Sequence, residues 1–295
     1  MRAQLQQLLD ARVKQCVGKK QERDIPCQKI KRKLECMERR NAEIVKAKAN
    51  GRIARKESRG ENEHVYYSVH FQYLIKQKDF MYIEEEIEER KAVFYRGQIV
   101  EDVELSLPVF ELGTETRLKF LPAEEGKDDG RLPYTYNRLK AVQYAERWWN
   151  SYNPAYIKFE NDCTNFISQC LHQGGAPMRG YPNRTIGWWL RGKNYSWSWA
   201  VANALKVYLE TSKTGLRARE VNSPDKLLLG DVICYDFQGN GRFDHNTIVT
   251  GKDANGMPLV NAHTYNSRQR YWAYEDSSAY TPNIQYKFFS IVDDS

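Results

Sequence analysis

The sequence predicts an α+β protein of two domains. Each would combine helices with an antiparallel sheet, and three observations lead there. Apolar residues recur at roughly helical spacing through the first 58 residues. The pattern then changes to β-branched and aromatic residues with partial alternation over 64–107. Past a break rich in proline, glycine and acids at 121–133, helical patterns come first and strand-like ones last. At 295 residues the chain is long enough for two cores.

Residues 3–17 and 27–58 read as two helices. In the second, Ile30, Leu34, Met37, Ala42, Ile44 and Ala47 recur among charged positions, and Pro26 stands at its first turn. Strands follow at 64–75, 79–95 and 98–107, with turns at Lys78–Asp79 and Arg96–Gly97. His64 and His70 lie in alternating sequence and read as structural. The acidic run Glu84–Glu89 reads as charges on a solvated strand edge rather than as the paired carboxylates of a glycosidase. The organisation is therefore an N-terminal domain over 1–120, a linker over 121–133 and a C-terminal domain over 134–295.

In the C-terminal domain, 136–153 is an amphipathic helix ended by Asn153–Pro154. A second helix, 159–175, has Asn161 or Asp162 as N-cap and Gly174 or Gly175 as its left-handed end. A Trp-rich loop and a further helix occupy 187–212. Strands follow at 231–237, 245–251, 258–264 and 284–292, with a hairpin signal at Asp253–Gly256.

Apolar residues at 41% and aromatics at 13% mark a folded chain. No uncharged run of 18 residues is present, so no membrane span is expected. The charged N-terminus lacks an apolar secretion core, which leads us to expect a cytoplasmic protein. None of the six cysteines forms a CxxC pair or a cluster with zinc-ligand spacing, so free thiols, no metal and no cofactor are expected. The net charge of +7 is uneven, with 18 basic against seven acidic residues in the first 60. Such a basic arm suits an anionic polymer such as a cell-wall teichoic acid, although a solvated helix surface accounts for it as well. The basic stretch has no aromatic residues and so no stacking platform for single-stranded nucleic acid, which is not an expected partner. Walker and dinucleotide patterns are absent.

Chemistry gathers in the second half. Cys163 stands at the first turn of the 159–175 helix, among unpaired N–H groups and at the positive end of the macrodipole. That setting favours the thiolate, and the same N–H groups suit an oxyanion. A cysteine on an apolar helix is more often plain core, so this position alone decides little. His245 opens a strand directly after the Gly-rich stretch DFQGNGRFD and is the candidate base. Asn261, or His263 two residues on and on the same strand face, is the candidate third member that orients it. Asp231 reads as organising the turn into its strand. Asp244 is placed to tune His245, but adjacent strand residues face opposite sides. Trp188, Trp189, Trp197 and Trp199 are of the kind that lines a glycan or peptide groove, and core packing explains them equally well. Trp188, Trp189 and Asp244 are kept as candidate substrate contacts.

The ordered set NDCTNFISQCLHQGGAPM (161–178), LLLGDVICYDFQGNGRFDHNTIVTG (227–251) and PLVNAHT (258–264) resembles the bacterial putative amidase domain family. That family is similar in turn to NlpC-type and CHAP-type cell-wall peptidases and amidases of the papain-like superfamily. The resemblance covers roughly 134–292. It implies a papain-like fold, a nucleophile at Cys163 in its Asp162-Cys163 pair, a base at His245 and a third polar residue at Asn261, with His263 in reserve. It also implies an upstream tyrosine lining the oxyanion site, which Tyr156 or Tyr152 would supply. Thr164-Asn165 stand where NlpC-type enzymes have Ser-Gly, so their substrate preferences do not carry over. The helical and β region ahead of the domain resembles that of a subset of spore-forming Bacillus-type proteins. The expected function is a cysteine amidase or peptidase acting on a peptide or peptidoglycan-stem amide. A degenerate cell-wall or protein binding module, and an acyltransferase using the same site, are the alternatives.

Overall fold

The computed structural model describes residues 1–17, 27–105 and 134–294. In chain order these form α1 (Arg2–Cys16), α2 (Gln28–Arg39), β1 (Ala42–Arg59), β2 (Asn62–Gln77), β3 (Phe80–Tyr95), β4 (Gln98–Glu104), α3 (Arg138–Trp148), α4 (Cys163–Gln173), β5 (Leu190–Arg191), β6 (Asn194–Tyr195), α5 (Trp197–Ala200), α6 (Ala202–Thr211), β7 (Arg217–Val221), β8 (Val232–Asp236), β9 (His245–Lys252), β10 (Pro258–Ala262), β11 (Ser267–Tyr271) and β12 (Gln285–Val292). The class is α+β with antiparallel strands, as the patterning predicts. The expected linker at 121–133 lies outside the described residues.

Two compact units emerge. Among the described residues the first comprises 1–17 and 27–105 together with 253–255 and 265–280. Its strands run β1-β2-β3 in antiparallel order, and the far side of β3 pairs β4 at one end and β11 at the other. The continuous division at 121–133 therefore needs correcting, because β11 hydrogen-bonds to Glu85 and Glu86 of β3 and belongs to this unit.

Two further expectations change here. The helix read over 27–58 stops at Arg39. Asn41 takes a positive φ of 53°, and the chain continues as β1, so Ala42, Ile44 and Ala47 sit on a strand. The acidic run is not on a solvated edge. Glu84, Glu85, Glu86 and Glu88 are buried, because β3 lies inside the sheet. Lys33 of α2 pairs with Glu84 and, at 2.7 Å, with Asp276, while Lys29 bridges Glu86, Glu88 and Glu104. Part of the basic excess is thus neutralised inside the unit. Burial alone would discharge such carboxylates, but Lys29 and Arg90 hold the Glu88 carboxyl down at about 2. His70 is paired with Glu85 at 2.8 Å.

Among the described residues the second unit comprises 134–252, 256–264 and 281–294. Its antiparallel strand order is β10-β9-β8-β12-β7. Strands β7 and β11, too polar to show in the sequence pattern, are additions to the expected set. Helices α3, α4 and α6 share one core with the sheet. Ala141, Ala145, Phe166, Ile167, Cys170, Leu171, Leu205 and Leu209 cluster with Val232, Cys234, Ile248 and Phe289. Each fully buried Phe, Ile or Leu here contributes roughly 2–3 kcal/mol. Asn137 caps α3 by accepting from the Lys140 N–H at 2.9 Å, and Gly175, at φ 100°, supplies the left-handed turn after α4. Over 187–212 the structure has a two-strand hairpin and two short helices rather than a loop and one helix.

Candidate active site

Every residue of Asp162-Cys163-Thr164-Asn165-Phe166 is committed. Asp162, 1% exposed, accepts the Phe159 N–H at 3.0 Å and Asn165 Nδ2 at 2.9 Å through Oδ1, and its Oδ2 lies 2.8 Å from His263 Nδ1. Asn165 also donates to the Ile157 carbonyl at 2.8 Å and accepts Trp199 Nε1 at 2.8 Å. Phe166 stacks on the His263 ring, centroids 4.0 Å apart. Thr164 Oγ1 accepts Asn246 Nδ2 at 3.0 Å. The motif thereby fixes both the loop that precedes α4 and the start of β9.

Cys163 is 5% exposed. Its sulfur is 3.7 Å from Thr164 Oγ1. The thiol differs from the expectation drawn from its helix position. Burial pushes its pKa up, and the Thr164 hydroxyl, the Asn246 N–H and the Thr264 hydroxyl only partly offset this. The comparison with Cys170 and Cys234 shows what the donors do. Those two thiols are fully buried and are pushed well up. A second correction concerns the oxyanion site. The Cys163 N–H expected to serve it is taken at 3.0 Å by Thr264 Oγ1, which also accepts the Asp162 N–H at 3.0 Å.

His245, 2% exposed, begins β9 opposite Tyr235, and its ring lies 5.7 Å from that of Tyr235 and 6.1 Å from that of Phe237. Successive strand residues face opposite ways, so His245 turns toward these rings while Asn246 turns toward α4. The loop before His245 is held by Asp236, whose carboxylate accepts the Gly239, Asn240 and Gly241 N–H groups.

Asn261 lies elsewhere than expected. It pairs with Ile248, three residues along β9 from His245, or about 10 Å at strand rise. Alternation gives it the face of Asn246 rather than that of His245. Its Oδ1 accepts Thr250 Oγ1 at 2.8 Å and its Nδ2 donates to Glu146 at 2.9 Å. His263 shares this face and has both ring nitrogens engaged. Nε2 lies 2.7 Å from the Trp148 carbonyl, which can only accept, and Nδ1 lies at the Asp162 carboxylate.

The remaining candidates separate. Tyr156 accepts Gln173 at 3.0 Å, ten residues and about 15 Å along α4 from Cys163, so it does not line the nucleophile's end. Tyr152 is nearer, its ring 5.1 Å from that of His263. Trp188, Trp189 and Trp199 are core rather than groove, at 0–2% exposure, and the Trp188 Nε1–H is donated to Ser168. Asp244 accepts the Phe237 N–H at 3.3 Å and shapes the loop, with burial raising its carboxyl pKa. Asp231 organises its turn by accepting the Leu228 and Ile291 N–H groups and Arg138. Thr264 and Asn246 escaped the sequence reading, although both adjoin histidines already singled out there. Among the described residues no group of three or more His, Cys, Asp or Glu is placed to hold a metal ion, and no helix is long and apolar enough to cross a membrane.

The family model described as "Putative amidase domain" matches residues 135–289, more than half of the chain. This chain belongs to the putative amidase domain family. Membership points to hydrolysis of amide bonds. The matched span includes Asp162 to Phe166, His245 and Asn261. Similarity to known proteins extends beyond the domain. The chain is 52% identical over 271 residues to the uncharacterized protein YhbB of Bacillus subtilis (strain 168), over 90% of this chain and 86% of that one. It is 30% identical over 140 residues to the uncharacterized protein YjcM of the same organism, 44% of this chain and 31% of that one. No solved structure matches it.

Proposed function

We propose that this amidase-family protein is a cysteine hydrolase, with Cys163 as nucleophile and His245 as base, acting on peptide amides of the peptidoglycan-stem class. The observation that carries the reading is the bond from Asn246 Nδ2 to Thr164 Oγ1 at 3.0 Å, which ties the residue after Cys163 to the residue after His245. His263, with both nitrogens engaged, suits support of Asp162 rather than proton transfer.

His245 takes the thiol proton as the sulfur attacks the amide carbonyl carbon. The tetrahedral intermediate then collapses to a thioester while His245 returns the proton to the departing amine. Water, deprotonated by the same imidazole, hydrolyses the thioester and regenerates the thiol. Because burial keeps the thiol protonated at rest, catalysis depends on this base rather than on a standing thiolate. The papain-like order of cysteine on a helix and histidine on a following strand agrees with this scheme. The exposed Lys46, Lys48, Arg52, Lys56 and Arg59 of β1 offer a surface for an anionic wall polymer.

The test is mass-spectrometric product analysis on a muropeptide panel with the wild type, Cys163→Ala and His245→Ala. New amine and carboxylate ends from the wild type, absent with either variant, are expected. Full cleavage by Cys163→Ala overturns the scheme. The buried thiol is also what a binding module would show; retention of muropeptide by the wild type and Cys163→Ala alike, with no turnover by either, would favour that second reading.

A further inference from the structure

Arg184 lies in the segment between α4 and β5, and its guanidinium has two aromatic neighbours. The guanidinium carbon stands 4.3 Å from the centroid of the Tyr195 ring and 4.0 Å from that of the Trp197 ring. The two rings are at 84° to each other, so the cation occupies the corner between them. Nε donates to the Tyr195 carbonyl at 3.1 Å, and the Arg184 carbonyl accepts the Trp197 N–H at 2.8 Å. The side chain is therefore fixed before any ligand arrives, which lowers the ordering cost of binding one.

The charge itself is unanswered. In the same unit Arg138 pairs with Asp231 and Arg217 with Asp294. Among the described residues no carboxylate pairs with Arg184, and its Nη2 is buried with no hydrogen-bond partner. A buried charged donor without an acceptor is costly. Attraction to the two rings offsets part of that cost, but it satisfies no N–H group. With Nε taken, the edge that carries Nη1 and Nη2 remains, and its two parallel N–H groups match the two oxygens of a carboxylate.

The location also points to a substrate. The Tyr195 ring meets the Phe159 ring nearly edge-on, centroids 4.8 Å apart. Phe159 donates its main-chain N–H to Asp162, the residue before Cys163. Tyr195 and Phe159 thus connect Arg184 to the loop that leads into the candidate nucleophile.

We propose that Arg184 is a substrate-binding residue that pairs with a carboxylate of the peptide whose amide is cleaved. The proposal rests on the reading of this site as a peptide amide hydrolase, and it narrows the substrate class to peptides that carry a free carboxylate rather than a carboxamide. A purely structural Arg184 needs only the two rings and the Tyr195 carbonyl.

Binding is measured apart from turnover. The full-length Cys163→Ala protein is titrated calorimetrically with a peptidoglycan stem peptide bearing free carboxylates, and with the same peptide converted to its carboxamides. The carboxylate form should bind at least about tenfold more tightly, the size of a hydrogen-bonded charge pair. Adding Arg184→Gln should cut that preference below about twofold while leaving the affinity for the carboxamide form in place. Arg184→Lys keeps the charge but not the planar fork and should retain a smaller preference, which covers a failure of the glutamine variant to fold. A preference unchanged in both variants, an equal loss of affinity for the two peptides, or binding of neither peptide by the Cys163→Ala protein would overturn the proposal. Turnover by Cys163→Ala would instead remove the nucleophile reading and leave the carboxylate preference standing.

Discussion

Replacing Asp162 with alanine removes one acceptor from three donors at once. The Phe159 N–H at 3.0 Å and Asn165 Nδ2 at 2.9 Å lose Oδ1, and His263 Nδ1 at 2.8 Å loses Oδ2. A hydrogen bond to a charged group contributes about 1.5–3 kcal/mol net, and three such bonds would set a ceiling near 4.5–9 kcal/mol. The carboxylate's own desolvation, no longer incurred in the variant, offsets part of that. Breaking a buried pair by removing one partner typically costs about 3–5 kcal/mol, and we expect Asp162→Ala to fall there. Asp162→Asn retains an acceptor for Phe159 and Asn165 and should lose less than half as much. Six of the seven tryptophans lie between 148 and 199, so urea unfolding followed by tryptophan emission reads the C-terminal unit. A loss below about 1 kcal/mol in Asp162→Ala would refute the view that this carboxylate organises the entry to α4.

Further predictions concern the same framework and the first unit. Trp199→Phe should cost about 2 kcal/mol in the same assay, because it leaves the buried Asn165 Oδ1 without its 2.8 Å donor; a neutral result would show that contact to be dispensable. Gly187, at φ 70°, would bring an added Cβ within 2.1 Å of the Arg179 carbonyl, where Arg179 and Trp188 pair; Gly187→Ala should lower the melting temperature by several degrees, and an unchanged melt would contradict that packing. Glu88 is held below its ordinary value, so its stabilisation is present above pH 4.5 and is lost as pH falls from 4.5 toward 2, on the order of 3 kcal/mol. Far-UV circular dichroism on acid titration should show that loss, and Glu88→Gln should flatten it; a slope identical in the variant would assign the acid sensitivity to other groups.

Much of this architecture can be read from local pattern, and what escapes is non-local. Strands β2 and β3 announce themselves by aromatic and β-branched alternation, as does α4 by its apolar stripe. β1 does not, because its Lys, Arg and Ala residues have low strand propensity and one edge is exposed. Its conformation is set by pairing with β2 along nearly its whole length. The acidic run of β3 looks solvated until α2 lays Lys29 and Lys33 against it. At the site, the nucleophile candidate is legible from the helix start at Cys163 and the base candidate from the strand that His245 opens after a Gly-rich stretch, each a local cue. The Asp162–His263 contact spans 101 residues, and no spacing rule reveals it. Strand register, likewise invisible locally, sends Asn261 to Glu146 and Thr250. The helix N-terminus predicted a favoured thiolate, but the burial that outweighs it exists only once α4 meets β9.

The central claim is a covalent one: the acyl group of the substrate passes through Cys163. Rapid acid quench of the wild type during turnover of a muropeptide, then mass spectrometry of the peptide containing Cys163, reads it directly. The account predicts an acyl mass on that peptide, released by neutral hydroxylamine and absent in Cys163→Ala, and with His245→Ala it predicts neither adduct nor product. Turnover by the wild type with no acyl mass on Cys163, matched by equal turnover in Cys163→Ala, would contradict it.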